Sequence, residues 1–113
     1  MAPVVAIDSE LNRVVDIIVD TVHPKRIILF GSRARGDSRQ GSDVDLLVLL
    51  PNDSPYLNYR VRTIGNILRK MKDISFAEDL LLYSEEEFER LKESDIHVLG
   101  TAAREGLELY AGS

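Results

Sequence analysis

Apolar residues recur along this chain in two periods, and the switches between them outline a fold. Ile7, Leu11, Val14, Ile18 and Val22 fall at helical spacing. They predict a first helix from Asp8 to Val22, capped by Asp8 or Ser9 and ended by His23-Pro24. Arg26 to Phe30 is a short apolar run that predicts a buried strand, and Gly31 breaks it. Ser32 to Gly36 predicts a tight turn or a single helical turn. Val44 to Leu50 predicts a second strand whose unbroken apolar run implies burial on both faces. After the Pro51–Pro55 loop, Leu57, Val61, Ile64, Leu68 and Met71 mark a second long helix. Phe76 to Tyr83 predicts a third strand. Ser84-Glu85-Glu86-Glu87 has the form of a capping box, opening a helix with Phe88 and Leu91 inward. Ile96, Leu99, Ala103, Leu107 and Tyr110 predict a final amphipathic helix.

This order predicts an α/β (α+β) layer, with a small mixed sheet of about three strands covered by helices. The connection between the first two strands is short, which favours an antiparallel pair over a parallel crossover. A length of 113 residues fits one domain spanning residues 1–113. So small a chain leaves a large acceptor to a partner or a second subunit, and a homo-oligomer is compatible with that.

Composition narrows the function classes. The chain has no cysteine, which excludes disulfides and thiolate metal sites and favours a cytoplasmic protein. No apolar run approaches a membrane span. A net charge of −5 argues against bulk nucleic-acid binding. The positive charge is nevertheless clustered. Lys25, Arg26, Arg33, Arg35 and Arg39 surround the Gly31 break, and Arg60, Arg62, Arg69, Lys70 and Lys72 follow on the second helix. That asymmetry suits a local anion site.

The chemistry concentrates around that break. Asp43 and Asp45 flank Val44 at the start of a strand, so their side chains share a face with Cα atoms roughly 6–7 Å apart. Two carboxylates at that spacing suit one or two Mg²⁺ ions, which take hard oxygen ligands and complete their shell with water and phosphate. An isolated Asp-x-Asp is more often a capped turn. Upstream, with ten residues between, stands Gly31-Ser32. Its glycine permits close backbone approach, and the turn that Ser32 begins offers free amides to phosphate oxygens. Arg33 and Arg35 follow at once, with forked guanidinium groups that pair well with phosphate. A third carboxylate is expected from the neighbouring strand. Glu78 and Asp79 are the candidates, and only one can share the face of the other two. Asp79 is favoured, because it opens its Leu-Leu-Leu run as Asp45 opens its own. It would serve as metal ligand and general base. His23 and His97 read as helix-terminus residues, and with no cysteine they make no zinc site.

The segment Gly-Ser-Arg-Ala-Arg-Gly-Asp, followed by Ser-Asp-Val-Asp-Leu-Leu-Val, resembles the polymerase-β-type nucleotidyltransferase superfamily, and in particular its minimal branch, the MNT domain proteins. The resemblance extends to Asp79-Leu-Leu-Leu-Tyr-Ser-Glu-Glu-Glu-Phe and to the ending Ala103 to Tyr110. It implies a nucleotidyltransferase fold using Mg²⁺ and a nucleoside triphosphate, with ATP the expected substrate. By position, Gly31 and Ser32 would hold the triphosphate, while Asp43, Asp45 and Asp79 would form the metal triad. Many minimal members are antitoxins paired with HEPN-domain toxins, and the resemblance implies transfer of AMP to a tyrosine of such a partner. The alternatives are a module that neutralises its partner by contact alone, using apolar helix surfaces and the basic face around Arg60 to Lys72, and a small-molecule nucleotidyltransferase.

Overall fold

The computed structural model describes residues 2–31, 44–74 and 78–112, the first seven of these as backbone. Helix α1 spans Ala2–Val22 and so begins earlier than the expected Asp8. Pro3 in its first turn is tolerated because no intrahelical N–H bond is lost there. Its end is the expected one. His23 takes the left-handed conformation (φ 52°), and its N–H still donates to the Val19 carbonyl. Pro24 then forbids continuation.

Strands β1 (Arg26–Phe30) and β2 (Val44–Leu50) form where the apolar runs predict them. A 3₁₀ helix at Pro55–Tyr59, capped by Ser54, leads into α2 (Arg60–Lys70). Then come β3 (Glu78–Ser84), α3 (Glu85–Leu91), α4 (Val98–Glu105) and β4 (Leu107–Ala111). The expected start of β3 at Phe76 lies outside the described residues, as does the expected turn over 32–36. The capping box at Ser84 is present in both directions. Glu87 N–H donates to Ser84 Oγ at 3.0 Å, and Ser84 N–H donates to Glu87 Oε1 at 2.8 Å. His97 caps α4, its Nδ1 accepting from Leu99 N–H at 3.0 Å.

The described strands make one sheet in the order β3-β2-β1-β4. Strand β1 runs antiparallel to both β2 and β4, and β2 runs parallel to β3. The sheet is therefore mixed, as expected, but it has four strands where about three were expected. Its two faces are covered separately. Ile27, Leu29, Leu46, Val48, Leu80 and Leu82 pack with residues of α1 and α2. Ile28, Phe30, Leu47 and Leu49 pack with Phe88 of α3 and with Leu99 and Ala102 of α4. This two-sided cover explains why β2 carries no alternation in its apolar run.

The fourth strand replaces the second half of the expected final helix. Gly106 stops α4 with an extended backbone (ψ 151°), its N–H donating to the Ala102 carbonyl at 2.8 Å. A Cβ there would overlap both the Ala102 carbonyl oxygen and Ile28 Cγ2, so the helix end presses directly on the sheet. Leu107 to Ala111 then pairs with β1. Ile96 stands 98% exposed before the helix and takes no part in an apolar face. The second helix departs in phase. Its 3₁₀ opening advances about 120° per residue instead of 100°. Leu57, Ile64, Leu68 and Met71 pack on the core as expected, but Val61 is left 86% exposed, and Thr63 and Ile67 are buried as well.

Among the described basic residues, Arg60, Arg62, Arg69 and Lys70 lie on the second helix as expected, while Arg26 is placed away from the Gly31 break. Arg26 opens β1, at the far end of the strand from Gly31, and pairs with Glu108 at 2.7 Å. On α2, Arg60 makes a forked pair with Glu87 at 3.0 and 3.1 Å and donates to the Leu82 carbonyl at 3.2 Å. Arg62 lies over the Tyr59 ring, Arg69 donates to Asn66, and Lys70 donates to Thr21.

The Arg60–Glu87 pair gives the fold a defined acid response. Burial opposes ionisation of Glu87, but the hydrogen bonds from Arg60 and the Ser84 backbone outweigh it and hold the carboxyl below its ordinary range. A depressed carboxylate stabilises the fold above its unfolded-state pKa, and the contribution fades as pH falls through the folded value. Glu87→Gln should therefore cost about 1 kcal/mol at pH 7. The difference from wild type should vanish in acid. Urea melts of both proteins across pH check this, and a gap that persists below the carboxylate range would contradict it.

Candidate active site

The candidate residues are organised by strand register at one end of the sheet. Strand β1 ends there, and β2 and β3 begin there. Asp45 pairs with Phe30 on one side and with Asp79 on the other. Directly paired residues of neighbouring strands present their side chains to the same face. Asp45 and Asp79 are thus neighbours on the α3/α4 side of the sheet, with Cα atoms about 4.8 Å apart by strand spacing. Asp45 is half-buried and Asp79 is exposed. Beneath them on the same face lie Leu47 and Leu81, then Leu49 and Tyr83, a floor that fixes the orientation of both strands.

Glu78 goes to the opposite face. It pairs with buried Val44 and alternates with Leu80 and Leu82 on the side of α1. Burial there, with a smaller contribution from the charge on Glu10, pushes its carboxyl up. Its Oε2 is buried without a hydrogen-bond partner among the described residues. The two acidic residues at the head of β3 are therefore divided between the two layers.

Gly31 closes β1 with φ 79°, in the left-handed region that glycine enters freely. The space where a Cβ would sit is taken by Asp45. A built Cβ would overlap Asp45 Oδ2 and lie 3.3 Å from its Cγ. This contact joins residues far apart in sequence, and no local signal announces it. Asp43, Ser32, Arg33 and Arg35 fall outside the described residues. Among the described residues there is no group of three or more Asp, Glu, His or Cys that could hold a metal ion. The donors present, two carboxylates on adjacent strands, fit a hard divalent cation such as Mg²⁺ that completes its shell from elsewhere.

A cavity of about 270 Å³ opens away from these carboxylates, lined by Arg26, Ile28, Phe88, Lys92, Ala102 and Glu108 among others. Its charged rim is internally neutralised, Arg26 by Glu108 and Lys92 by Glu89 at 2.8 Å. None of these lining residues is one of the candidate site residues, which sit where β2 and β3 start.

Over residues 11–107 the sequence matches the profile of the nucleotidyltransferase domain. The chain belongs to that family. The match takes in every strand of this nucleotidyltransferase domain up to the first residue of β4, and with them Gly31, Asp43, Asp45 and Asp79. The fold is shared with a candidate nucleotidyltransferase from Sulfolobus solfataricus, at 20% identity and a TM-score of 0.60, over 94% of this chain and 86% of that one. It is shared also with a toxin–antitoxin structure containing AMP-PNP, at 23% identity and a TM-score of 0.58, over 90% of this chain and 73% of that one. No curated protein matches the sequence at a significant level. No helix among the described residues is long and apolar enough to cross a membrane.

Proposed function

We propose that this nucleotidyltransferase domain transfers AMP from ATP to a hydroxyl of a partner protein, a tyrosine of a HEPN-type toxin, and so acts as an antitoxin in the cytoplasm. The observation that carries the transfer reading is the register that sets Asp45 beside Asp79 on one face, at the edge where Gly31 ends β1. The toxin–antitoxin likeness supports the kind of partner.

Asp43, Asp45 and Asp79 would hold Mg²⁺, which when bound neutralises the triphosphate and stabilises the attacking and departing oxygens. Ser32, Arg33 and Arg35 would orient the phosphate tail. The acceptor hydroxyl attacks the α-phosphorus and a new O–P bond forms. The bond from the α-phosphorus to the bridging oxygen breaks, and pyrophosphate leaves. The hydroxyl proton passes to the Asp79 carboxylate, whose exposure lets an incoming acceptor reach it. Positioning and fixed charge supply most of the acceleration in such transfers.

The test is to incubate the chain with its co-purified partner and Mg-ATP, then measure the mass of the partner. An AMP-sized gain on a tyrosine is expected. A partner whose mass does not change with ATP or any other nucleoside triphosphate would sink the transfer reading.

A further inference from the structure

We propose that Gly31 is a positioning residue for the Asp45 carboxylate, beyond any role its turn has toward phosphate. The inference rests on the metal reading above for its functional consequence, but not for its geometry. Two separate constraints fall on this residue. The first is the backbone, at φ 79°, which favours glycine but admits asparagine at modest cost. A phosphate-cradling turn explains that constraint. It does not explain the second, which is that a Cβ at Gly31 would stand in the space filled by Asp45. The Oδ2 atom would be overlapped, with Cγ at 3.3 Å and Cβ at 3.5 Å.

The register shows why the two meet. Phe30 is paired directly with Asp45, so the next residue of β1 turns across the Asp45 side chain. Phe30 is itself 7% exposed and packed into the α3/α4 layer, so the strand end cannot swing away to make room. Asp45 therefore sits between the bare Cα of Gly31 and the neighbouring strand that carries Asp79. Any side chain at position 31 must turn the carboxylate out of that seat. A ligand held in place before the cation arrives binds it more tightly than one that must be ordered.

Three measurements on the intact chain test this. In metal-free crystals of Gly31→Ala, the Asp45 carboxylate should occupy a different rotamer from wild type. An unchanged rotamer overturns the inference, whatever the protein's activity. In Mn²⁺ titrations followed by electron paramagnetic resonance, Gly31→Ala and Gly31→Asn should both bind about 10–100-fold more weakly, the range found when a group supporting a metal ligand is lost. Asparagine accepts the left-handed backbone but keeps the Cβ, and it serves as the test variant if the alanine protein does not fold. Wild-type affinity in Gly31→Asn would show that backbone conformation alone matters and would overturn the proposal. In an Asp45→Asn background, Gly31→Ala should cause no further loss. In EDTA, where no cation is bound, both variants should lose less affinity for ATP than they lose for Mn²⁺, because the seat holds a carboxylate and not a phosphate. A loss there equal to the Mn²⁺ loss would assign Gly31 to the phosphate instead. A wild-type chain that binds no Mn²⁺ would refute the metal reading under the proposed function, while the metal-free crystal would still decide the seat.

Discussion

Asp79→Asn should sharply reduce the proposed AMP transfer while leaving the fold unchanged. The expected loss is about 10²–10⁴-fold, the range for removing a positioned proton acceptor. The side chain is exposed, so its replacement should shift unfolding free energy by no more than about 0.5 kcal/mol. Asp45→Asn should lose activity to a similar degree, and the double variant should be little worse than either single one, because residues acting on one centre are not additive. The same variants separate catalysis from neutralisation by contact. If the chain silences its partner through modification, Asp79→Asn should still bind the partner and fail to neutralise it. Full neutralisation by Asp79→Asn, with no mass gain on the partner, would establish the contact reading. Of the basic residues on α2, Arg60 is paired with Glu87, while Arg62, Arg69 and Lys70 stay exposed beside the neutral groups Tyr59, Asn66 and Thr21.

What the sequence made legible follows the range of each signal. Arg26–Phe30 and Val44–Leu50 were readable because Gly31 and Pro51 punctuate unbroken apolar runs. The faces of Glu78 and Asp79 were readable because alternation along a strand is strict, and the register shows the same division. The roles of those residues in catalysis remain a proposal about chemistry, and no pattern of spacing decides them. The strand at Leu107–Ala111 was not readable. Leu107, Leu109 and Tyr110 satisfy a strand period and a helical one alike, and only pairing with β1, some 80 residues earlier, decides between them. The exposure of Val61 was hidden for a related reason. A 3₁₀ turn rotates the apolar stripe, and nothing in the composition of Pro55–Tyr59 announces its pitch. The seat of Asp45 against Gly31 depends on strand pairing and so was beyond any local reading.

Leu47→Ala should be among the most damaging single truncations of the fold, and it should act on the site as well. Leu47 has no exposed surface and lies in the layer closed by Phe88, Leu99 and Ala102. Removing its side chain forfeits buried apolar contact and leaves a hole that the sheet, held on both sides by pairing, cannot collapse to fill. The expected cost is about 2–5 kcal/mol, a large part of the roughly 5–15 kcal/mol that holds a domain of this size together. The melting temperature should fall on the order of 10 °C. Val61→Ala is the matched control, since that side chain is 86% exposed and its loss should cost less than about 0.5 kcal/mol. Urea denaturation with an unchanged slope would show that native stability itself has moved. Position adds a second consequence. Leu47 follows Asp45 on the same face of β2, so a void there loosens the strand that aims the carboxylate. Transfer activity should therefore drop even at temperatures where Leu47→Ala remains folded. A loss of stability below about 1 kcal/mol would mean that α3 and α4 do not close over this face. The floor beneath Asp45 and Asp79 would then have to be redrawn.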